Sequence, residues 1–198
     1  MADFPQTRYV FGDGIKVLSA EGALTIRCQS AGDVVCPSGE LAAGDAGFPT
    51  DTRPFDVRPL PGRYGAFVTL AEGGTSGSPR VAYVSICLRD DRPTRWQQAH
   101  PPGFSGDNAV ACLGDLVAAR AWSACLDREG EQQAWNRLWQ AVGSNPLTPF
   151  AVFQPSPEMD LNLLVWKTTG DCQGQSYYGV GAGGEVLCLT VDVGVIDI

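Results

Sequence analysis

A cysteine and a histidine that lie close together in the chain are the first candidates for chemistry. Cys112 follows His100, the only histidine of the 198 residues. A thiol beside an imidazole is the pattern of a nucleophilic cysteine, but contact in space rather than spacing defines such a pair. His100 precedes two prolines, so we expect it on an exposed loop, which disfavours a Cys–His enzyme. A single histidine also excludes a metal site built on two imidazoles.

A glycine-rich segment offers a second candidate site. Asp171 lies in the sequence TTGDCQGQSYYG, together with Tyr177 and Tyr178. Such a turn presents backbone amides to an anion or carbonyl oxygens to a cation. Calcium would need several acids at alternating positions, and Asp171 is the one acid in this segment. The simpler interpretation is a long hairpin loop in which Asp171 hydrogen-bonds its own turn.

Trp96 and the adjacent acids Asp90 and Asp91 are candidate contacts for a partner. Trp96 lies in the polar sequence RWQQA, whereas three of the five tryptophans lie in a region with helical periodicity. Tryptophan anchors protein interfaces and stacks on sugars or bases. Asp90 and Asp91 follow a predicted strand, where a solvated turn is the simpler interpretation. Acid–base catalysis would need an opposing carboxylate, which the sequence does not identify.

The cysteines indicate buried thiols rather than a metal or disulfide framework. Their number is odd and no two have C-x-x-C spacing. Four lie in apolar sequences, where cysteine behaves as a small hydrophobic residue. The N-terminus has no basic stretch followed by an apolar one, so we expect no signal peptide, a cytoplasmic location, and no metal or cofactor. The seven are Cys28, Cys36, Cys87, Cys112, Cys125, Cys172 and Cys188.

Short β-strands joined by turns are predicted over most of the chain. Residues 9–11 and 15–18 flank Asp13-Gly14, a dipeptide that favours a tight hairpin turn. The proline-rich residues 43–63 are predicted to form a long loop, and a flexible loop is predicted at 72–79. Alternation of apolar and polar residues predicts the remaining strands: 24–28, 33–36, 40–42, 64–71, 81–88, 150–153, 161–168, 176–180 and 185–193.

Two consecutive helices are predicted near residues 114–142. Gly130 is expected to separate them, and Gly143 to cap the second. The second helix has a stripe at i, i+3, i+4 and i+7, which is typical of a buried face. That stripe consists of Trp135, Leu138, Trp139 and Val142.

These elements predict a single α+β domain, residues 1–198, that is mainly antiparallel β-sheet and either sandwich-like or strongly twisted. The 24 glycines and 14 prolines favour short elements over a helical bundle. No apolar run is long enough for a membrane span, so we expect no membrane association. The net charge of −8 excludes non-specific nucleic-acid binding and favours a basic protein partner.

Several short segments resemble an uncharacterised bacterial family of domains of unknown function, over roughly residues 30–195. Cys172 replaces a glycine of the family pattern and Val193 replaces a phenylalanine, so the resemblance implies no shared catalytic loop. The family has no established activity. Small acidic proteins of this kind accompany secreted toxins, so the resemblance implies an immunity role. The segments are 32–45 (GDVVCPSGELAAGD), 61–64 (PGRY), 80–83 (RVAY), Trp96 with Ala99, Gly170-Asp171, Tyr178-Gly179 and 184–192.

The leading hypothesis is a non-enzymatic cytoplasmic binding protein, specifically an immunity protein that neutralises a bacterial toxin with a basic domain. Two alternatives stay open: an enzyme of unknown reaction with its site at the Asp171 loop, and a structural or phage-related module. The candidate binding residues are Asp171, Tyr177, Tyr178, Trp96, Asp90 and Asp91.

Overall fold

Two antiparallel sheets and three helices make up the described part of the chain. The computed structural model describes residues 5–19, 22–75, 77–168 and 170–196. Ser76 and Thr169, which fall in two predicted loops, lie outside the described residues, as does the side chain of Cys172. The helices are α1 (Thr7–Val10), α2 (Leu116–Glu129) and α3 (Glu131–Gly143). The strands are β1 (Asp13–Ser19), β2 (Gly22–Cys36), β3 (Leu41–Asp45), β4 (Gly62–Gly73), β5 (Arg80–Cys87), β6 (Arg95–Gly106), β7 (Val110–Asp115), β8 (Phe150–Phe153), β9 (Leu163–Lys167), β10 (Cys172–Val180) and β11 (Val186–Asp192).

Seven strands form the larger sheet in the order β1-β2-β4-β5-β11-β10-β6, and this sheet curls into a half-barrel. The predicted hairpin around Asp13-Gly14 is wrong. Thr7–Val10 forms the one-turn helix α1, and β1 pairs with β2 up to Ser19 opposite Gly22. Tyr9 and Val10 are buried against the outer face of this sheet. Burial of these two side chains therefore outweighs the local turn preference.

Four strands form the smaller sheet in the order β3-β7-β9-β8. The predicted turn after Cys36 is present, but it carries the chain from the larger sheet to the smaller one. Strand β7 was not predicted, because its residues run into the helical pattern that follows. Every residue of β7 is buried, since both faces of the smaller sheet are covered.

The main core lies between the two sheets, so the protein is a sandwich of the predicted α+β class. Leu164 and Trp166 of β9 face the larger sheet, in one cluster with Ile86 and Leu189. Leu163 and Val165, the alternate residues of β9, face the helices. A strand covered on both sides explains the continuous apolar sequence LLVW.

Gly130 separates α2 from α3, as predicted, with a φ of 85° that disfavours other residues. The predicted buried stripe is only half right. Leu138 and Val142 are fully buried, but Trp139 is 38% exposed. Gly143 is the last residue of α3 rather than its cap. In the described ranges, α2 is the longest helix at 14 residues, and none could reach across a bilayer.

Strand β6 was not predicted, and it changes the expected position of His100. The prolines at 101 and 102 argued against a strand, yet β6 is an edge strand, where a missing amide is tolerated. The register with β10 also shifts between Gln175 and Tyr177, which accommodates the extra residues. His100 is exposed, as expected, but lies on this strand rather than on a loop.

Candidate functional site

A surface cavity of about 550 Å³ contains the predicted residue Asp171 in its wall. Arg80, at the start of β5, and Lys167, at the end of β9, line the same cavity. We call it the Lys167 cleft. The predicted hairpin loop around Asp171 is wrong, because β9 and β10 belong to different sheets. Asp171 instead precedes β10 directly, where the chain crosses between the sheets.

Tyr177 and Tyr178 do not share the cleft with Asp171. An extended strand advances about 3.3 Å per residue, so six residues separate Asp171 from Tyr177 by roughly 20 Å. Tyr178 is buried in the main core, where its hydroxyl donates to the Asp56 carboxylate and accepts from the Val57 amide. Burial and the bond to Asp56 raise the pKa of Tyr178. Burial, and then Asp192, raise the pKa of Tyr177. Both phenols are therefore protonated at neutral pH.

Asp90 and Asp91 are exposed and line a separate cavity of about 330 Å³. The ring of Phe11 lines this cavity and stacks on Trp96, with 6.4 Å between the ring centroids. Trp96 also donates from Nε1 to Thr7 Oγ1 over 3.2 Å. The structure thus places three of the predicted residues around one end of the larger sheet, with Trp96 serving to hold α1.

Burial raises the pKa of five thiols, which are therefore protonated at neutral pH and unsuited to nucleophilic attack: Cys28, Cys36, Cys87, Cys112 and Cys188. Cys112 lies in the core between the smaller sheet and the helices, where burial, and then Asp45, raise its pKa to about 12. His100 is an exposed residue of the other sheet, so the structure does not support the Cys–His pair. Cys87 faces Cys188 across β5 and β11. Burial raises the pKa of Cys87 to about 12 and of Cys188 to about 11.

Two buried carboxylates, at Asp45 and Asp115, are not among the site residues predicted from the sequence. Asp45 accepts hydrogen bonds from the backbone amides of Gly47 and Asp107, each over 2.7 Å, and from the Asn108 side chain. These bonds fix the loop that follows β3. Asp45 ends the segment 32–45 that carries the family resemblance.

Asp115 caps α2 and also holds the turn between the sheets. Its carboxylate accepts from the Val117 amide over 2.8 Å, from the Ser38 hydroxyl over 2.8 Å and from the Cys36 thiol over 3.1 Å. An acid just before a helical pattern is a recognised cap signal. The partners at Cys36 and Ser38 are remote in sequence, so this signal predicts the cap but not the network.

An exposed aromatic side chain lies between two further cavities. Phe48 is 58% exposed and lines both cavities, of about 380 Å³ and 310 Å³. We call this region the Phe48 surface. It was not predicted, although an aromatic residue in an acidic loop is a recognisable signal. The Phe48 surface also includes Asp51, Arg53, Asp107, Leu126, Asp127, Glu131 and Trp135.

Two antiparallel sheets face each other, and the helices pack on one of them, so the protein is an α+β sandwich. Several open cavities lie on its surface. Residues 34–191 match the family described as "Protein of unknown function (DUF4241)", and the chain belongs to that family. The resemblance to a family of domains of unknown function is thereby confirmed. No curated protein and no solved structure matches the chain.

Proposed function

We propose that the protein is a non-enzymatic binding protein for a basic partner protein and, more specifically, an immunity protein that occludes a basic bacterial toxin domain. The observation that best supports this proposal is the Phe48 surface. Exposed aromatic side chains in concave surroundings are the usual anchors of protein interfaces. Phe48 projects between two cavities, and the half-buried Trp135 lines one of them.

The loop that carries Phe48 is held in place before any partner binds. The Asp45 carboxylate fixes its first residues, and the Phe48 amide donates to the Asp45 carbonyl over 3.2 Å. The buried Trp122 donates from Nε1 to the Ala46 carbonyl over 2.7 Å. A loop ordered in the free protein loses little conformational entropy on binding, which favours affinity.

The charges around Phe48 favour a basic partner. Asp51, Asp107, Asp127 and Glu131 are exposed acids that line the two cavities. Arg53 is the one cation among the described residues that line them. Carboxylates around an apolar anchor complement lysine and arginine side chains and accelerate the encounter with a positively charged protein.

The ionisation of the buried groups supports binding over nucleophilic catalysis. Cys36, Cys87, Cys112 and Cys188 all have pKa values raised by burial, which disfavours the reactive thiolate. A side chain that remains protonated at neutral pH is a poor nucleophile or base.

Co-expression with any basic toxin domain that is encoded beside the gene tests this proposal. We expect a one-to-one complex that survives gel filtration, and protection of cells that produce the toxin. Phe48→Ala is expected to weaken the complex by a factor of about ten or more, because it removes the central aromatic contact. Leu18→Ala is the matched control, since Leu18 is an 82% exposed apolar residue of β1. Neither complex nor protection, or equal effects of the two variants, would contradict the proposal.

A further inference from the structure

We infer that the cavity lined by Phe11, Asp90 and Asp91 binds a small aromatic zwitterion, which is the chemistry of an aromatic amino acid. We call this cavity the Phe11 pocket. Its volume of about 330 Å³ is within the usual range of small-ligand sites. It shares no lining residue with the Phe48 surface, and the inference goes beyond the proposed partner binding. The lining consists of Phe11, Cys28, Ser30, Phe67, Cys87 and residues 89–93.

Two aromatic rings line the Phe11 pocket. Phe11 and Phe67 meet edge to face, with 6.5 Å between the ring centroids and 84° between the ring planes. The Phe11 ring also stacks on Trp96, which is hydrogen-bonded to Thr7, so it is held in place before a ligand binds. Both phenylalanines are half-buried, which leaves part of each ring open to a further ring. Aromatic pairs gain energy beyond that of burial alone, so this lining favours an aromatic ligand.

Two uncharged thiols, of Cys28 and Cys87, line the same pocket. Ile86 faces the main core, so the adjacent Cys87 lies on the outer face of the larger sheet. Cys28 lies on that face too, because it alternates with Ile26, which is buried there. Burial raises the pKa of Cys87 to about 12 and also raises the pKa of Cys28. The two neutral, polarisable sulfur atoms therefore favour contact with an aromatic ring over contact with an ion.

Four consecutive charged residues, Arg89, Asp90, Asp91 and Arg92, supply the polar part of the lining. All four are exposed, and none of them forms an ion pair within the described part of the chain. They provide two positive and two negative groups, so together they carry no net charge. A ligand with one carboxylate and one ammonium group can pair with both kinds of charge. A ligand with a single charge is repelled by one kind, so the charges favour a zwitterion.

The backbone of this charged segment is anchored at both ends. The Arg89 amide donates to the Leu187 carbonyl over 3.1 Å, and the Pro93 carbonyl accepts from the Thr7 hydroxyl over 3.1 Å. The Pro93 side chain is buried. A segment that is held in place before binding loses little conformational entropy when a ligand arrives. This anchoring therefore favours affinity for a small molecule.

Calorimetric titration with free L-phenylalanine and three analogues tests the inference. Phenylpropionate lacks the ammonium group, phenethylamine lacks the carboxylate, and L-alanine lacks the ring. We expect L-phenylalanine to bind with a dissociation constant of about 1 mM or below, and each analogue to bind at least about threefold more weakly. Absence of L-phenylalanine binding at about ten times that concentration would overturn the inference. So would an analogue that binds as tightly as L-phenylalanine, because the missing group would then make no contact.

Two double substitutions match the charges of the ligand to the charges of the pocket. Arg89→Gln with Arg92→Gln should weaken L-phenylalanine binding by about fivefold, but should not weaken phenethylamine, which has no carboxylate. Asp90→Asn with Asp91→Asn should also weaken L-phenylalanine binding, but should not weaken phenylpropionate, which has no ammonium group. An equal loss of affinity for all the ligands in either double variant would contradict the inference, since the charges would then not contact the ligand.

Phe67→Leu tests the aromatic part of the lining. This variant should bind L-phenylalanine about threefold more weakly or worse, because one ring contact is lost. Phe150→Leu is the matched control, since Phe150 is also half-buried but lies on the edge strand β8, outside the pocket. Equal affinities of these two variants would overturn the inference. Partner binding through Phe48 is measured separately, so the two proposals can fail independently.

Discussion

At the scale of single residues, the Asp115 carboxylate connects three parts of the fold. It receives hydrogen bonds from the first turn of α2 and from Cys36 and Ser38, which lie where the chain leaves the larger sheet. The side chain is fully buried. A buried acceptor that loses its donors, or donors that lose their acceptor, incur a desolvation penalty. Asp115 therefore stabilises the junction as well as the helix.

Asp115→Asn is expected to lower the free energy of unfolding by roughly 2 to 3 kcal/mol, because it weakens the cap and leaves an amide facing donors. Urea denaturation at neutral pH measures this loss. Asp160→Asn is the control, since the ion pair of Asp160 with Arg63 is exposed, and its loss should change stability by less than about 1 kcal/mol. Equal effects of the two substitutions would show that the Asp115 network contributes little.

The buried thiols predict how stability depends on pH. The pKa of Cys112 rises from 9.0 to about 12 on folding. Below pH 8 the thiol is protonated in both the folded and the unfolded state. Its ionisation therefore does not reduce the free energy of unfolding in that range. As the pH rises from 9 towards 12, the unfolded chain releases this proton and the folded chain retains it. The free energy of unfolding should then fall by up to about 1.4 kcal/mol per pH unit for each such thiol.

Cys112→Ala tests this origin of the alkaline instability. Urea denaturation between pH 8 and 11 should show a shallower decline for this variant, because one titrating thiol is gone. Val165→Ala is the matched control, since Val165 pairs with Cys112 across β7 and β9. It should lower stability at every pH without changing the slope. An unchanged slope in Cys112→Ala would contradict the assignment.

At the scale of elements, we expect glycine-to-alanine substitutions at the two ends of α3 to change stability in opposite directions. Gly130 has a φ of 85°, so Gly130→Ala should cost about 1 to 2 kcal/mol of stability. Gly143 is helical, and an added Cβ would be 3.6 Å from Lys167 Nζ, which is an ordinary contact. Gly143→Ala should therefore stabilise the protein by up to about 1 kcal/mol. Thermal denaturation measures both, and effects of the same sign would contradict this account.

Local sequence patterns predict those elements whose buried side chains can be recognised from the spacing of apolar residues within the element itself. The strands at 64–71 and 81–88 and the two long helices are predictable because their apolar residues recur with the period of the element that they form. Strand β6 was missed because its prolines are tolerated only at the edge of a sheet, and edge position depends on the global topology. The helical pattern predicts a buried Trp139, because a local pattern contains no information about its contact with Lys167, which is remote in sequence.

The candidate sites are less predictable from the sequence than the strands and helices, because their residues come from elements of both sheets. Asp171 was identified from its glycine-rich context, and it does line a cleft. Its neighbours there, Arg80 and Lys167, are remote in sequence and have no local motif. The exposure of Phe48 is not predictable from its local sequence, because it depends on the tertiary structure, in which no described element covers the ring.

At the scale of the whole molecule, the net charge of −8 predicts the salt dependence of partner binding. The dissociation constant for the basic partner that we propose should rise by about tenfold or more between low salt and half-molar salt, because ions screen the attraction. Surface plasmon resonance should assign most of this change to the association rate. A dissociation constant that does not change with salt would contradict electrostatic steering.

The position of the charges matters as well as their number. Neutralising Asp127 and Glu131 together, as Asp127→Asn with Glu131→Gln, should flatten the salt dependence, since both acids line the Phe48 surface. The control is Asp13→Asn with Asp33→Asn, two exposed acids of β1 and β2, which changes the net charge by the same amount. Identical salt dependence of the dissociation constant in the two double variants would show that only the net charge, and not its position, affects partner binding.

The strand order has a consequence for synthesis on the ribosome. Strand β11 comes last of the described strands along the chain, yet it lies inside the larger sheet between β5 and β10. A nascent chain that ends before Val186 leaves both neighbours with an open edge and leaves the main core uncovered on one side. Exposed strand edges invite pairing with other chains. The larger sheet therefore cannot be completed on the ribosome before Val186–Asp192 has been synthesised, and until then the growing chain exposes two strand edges that can pair with other chains.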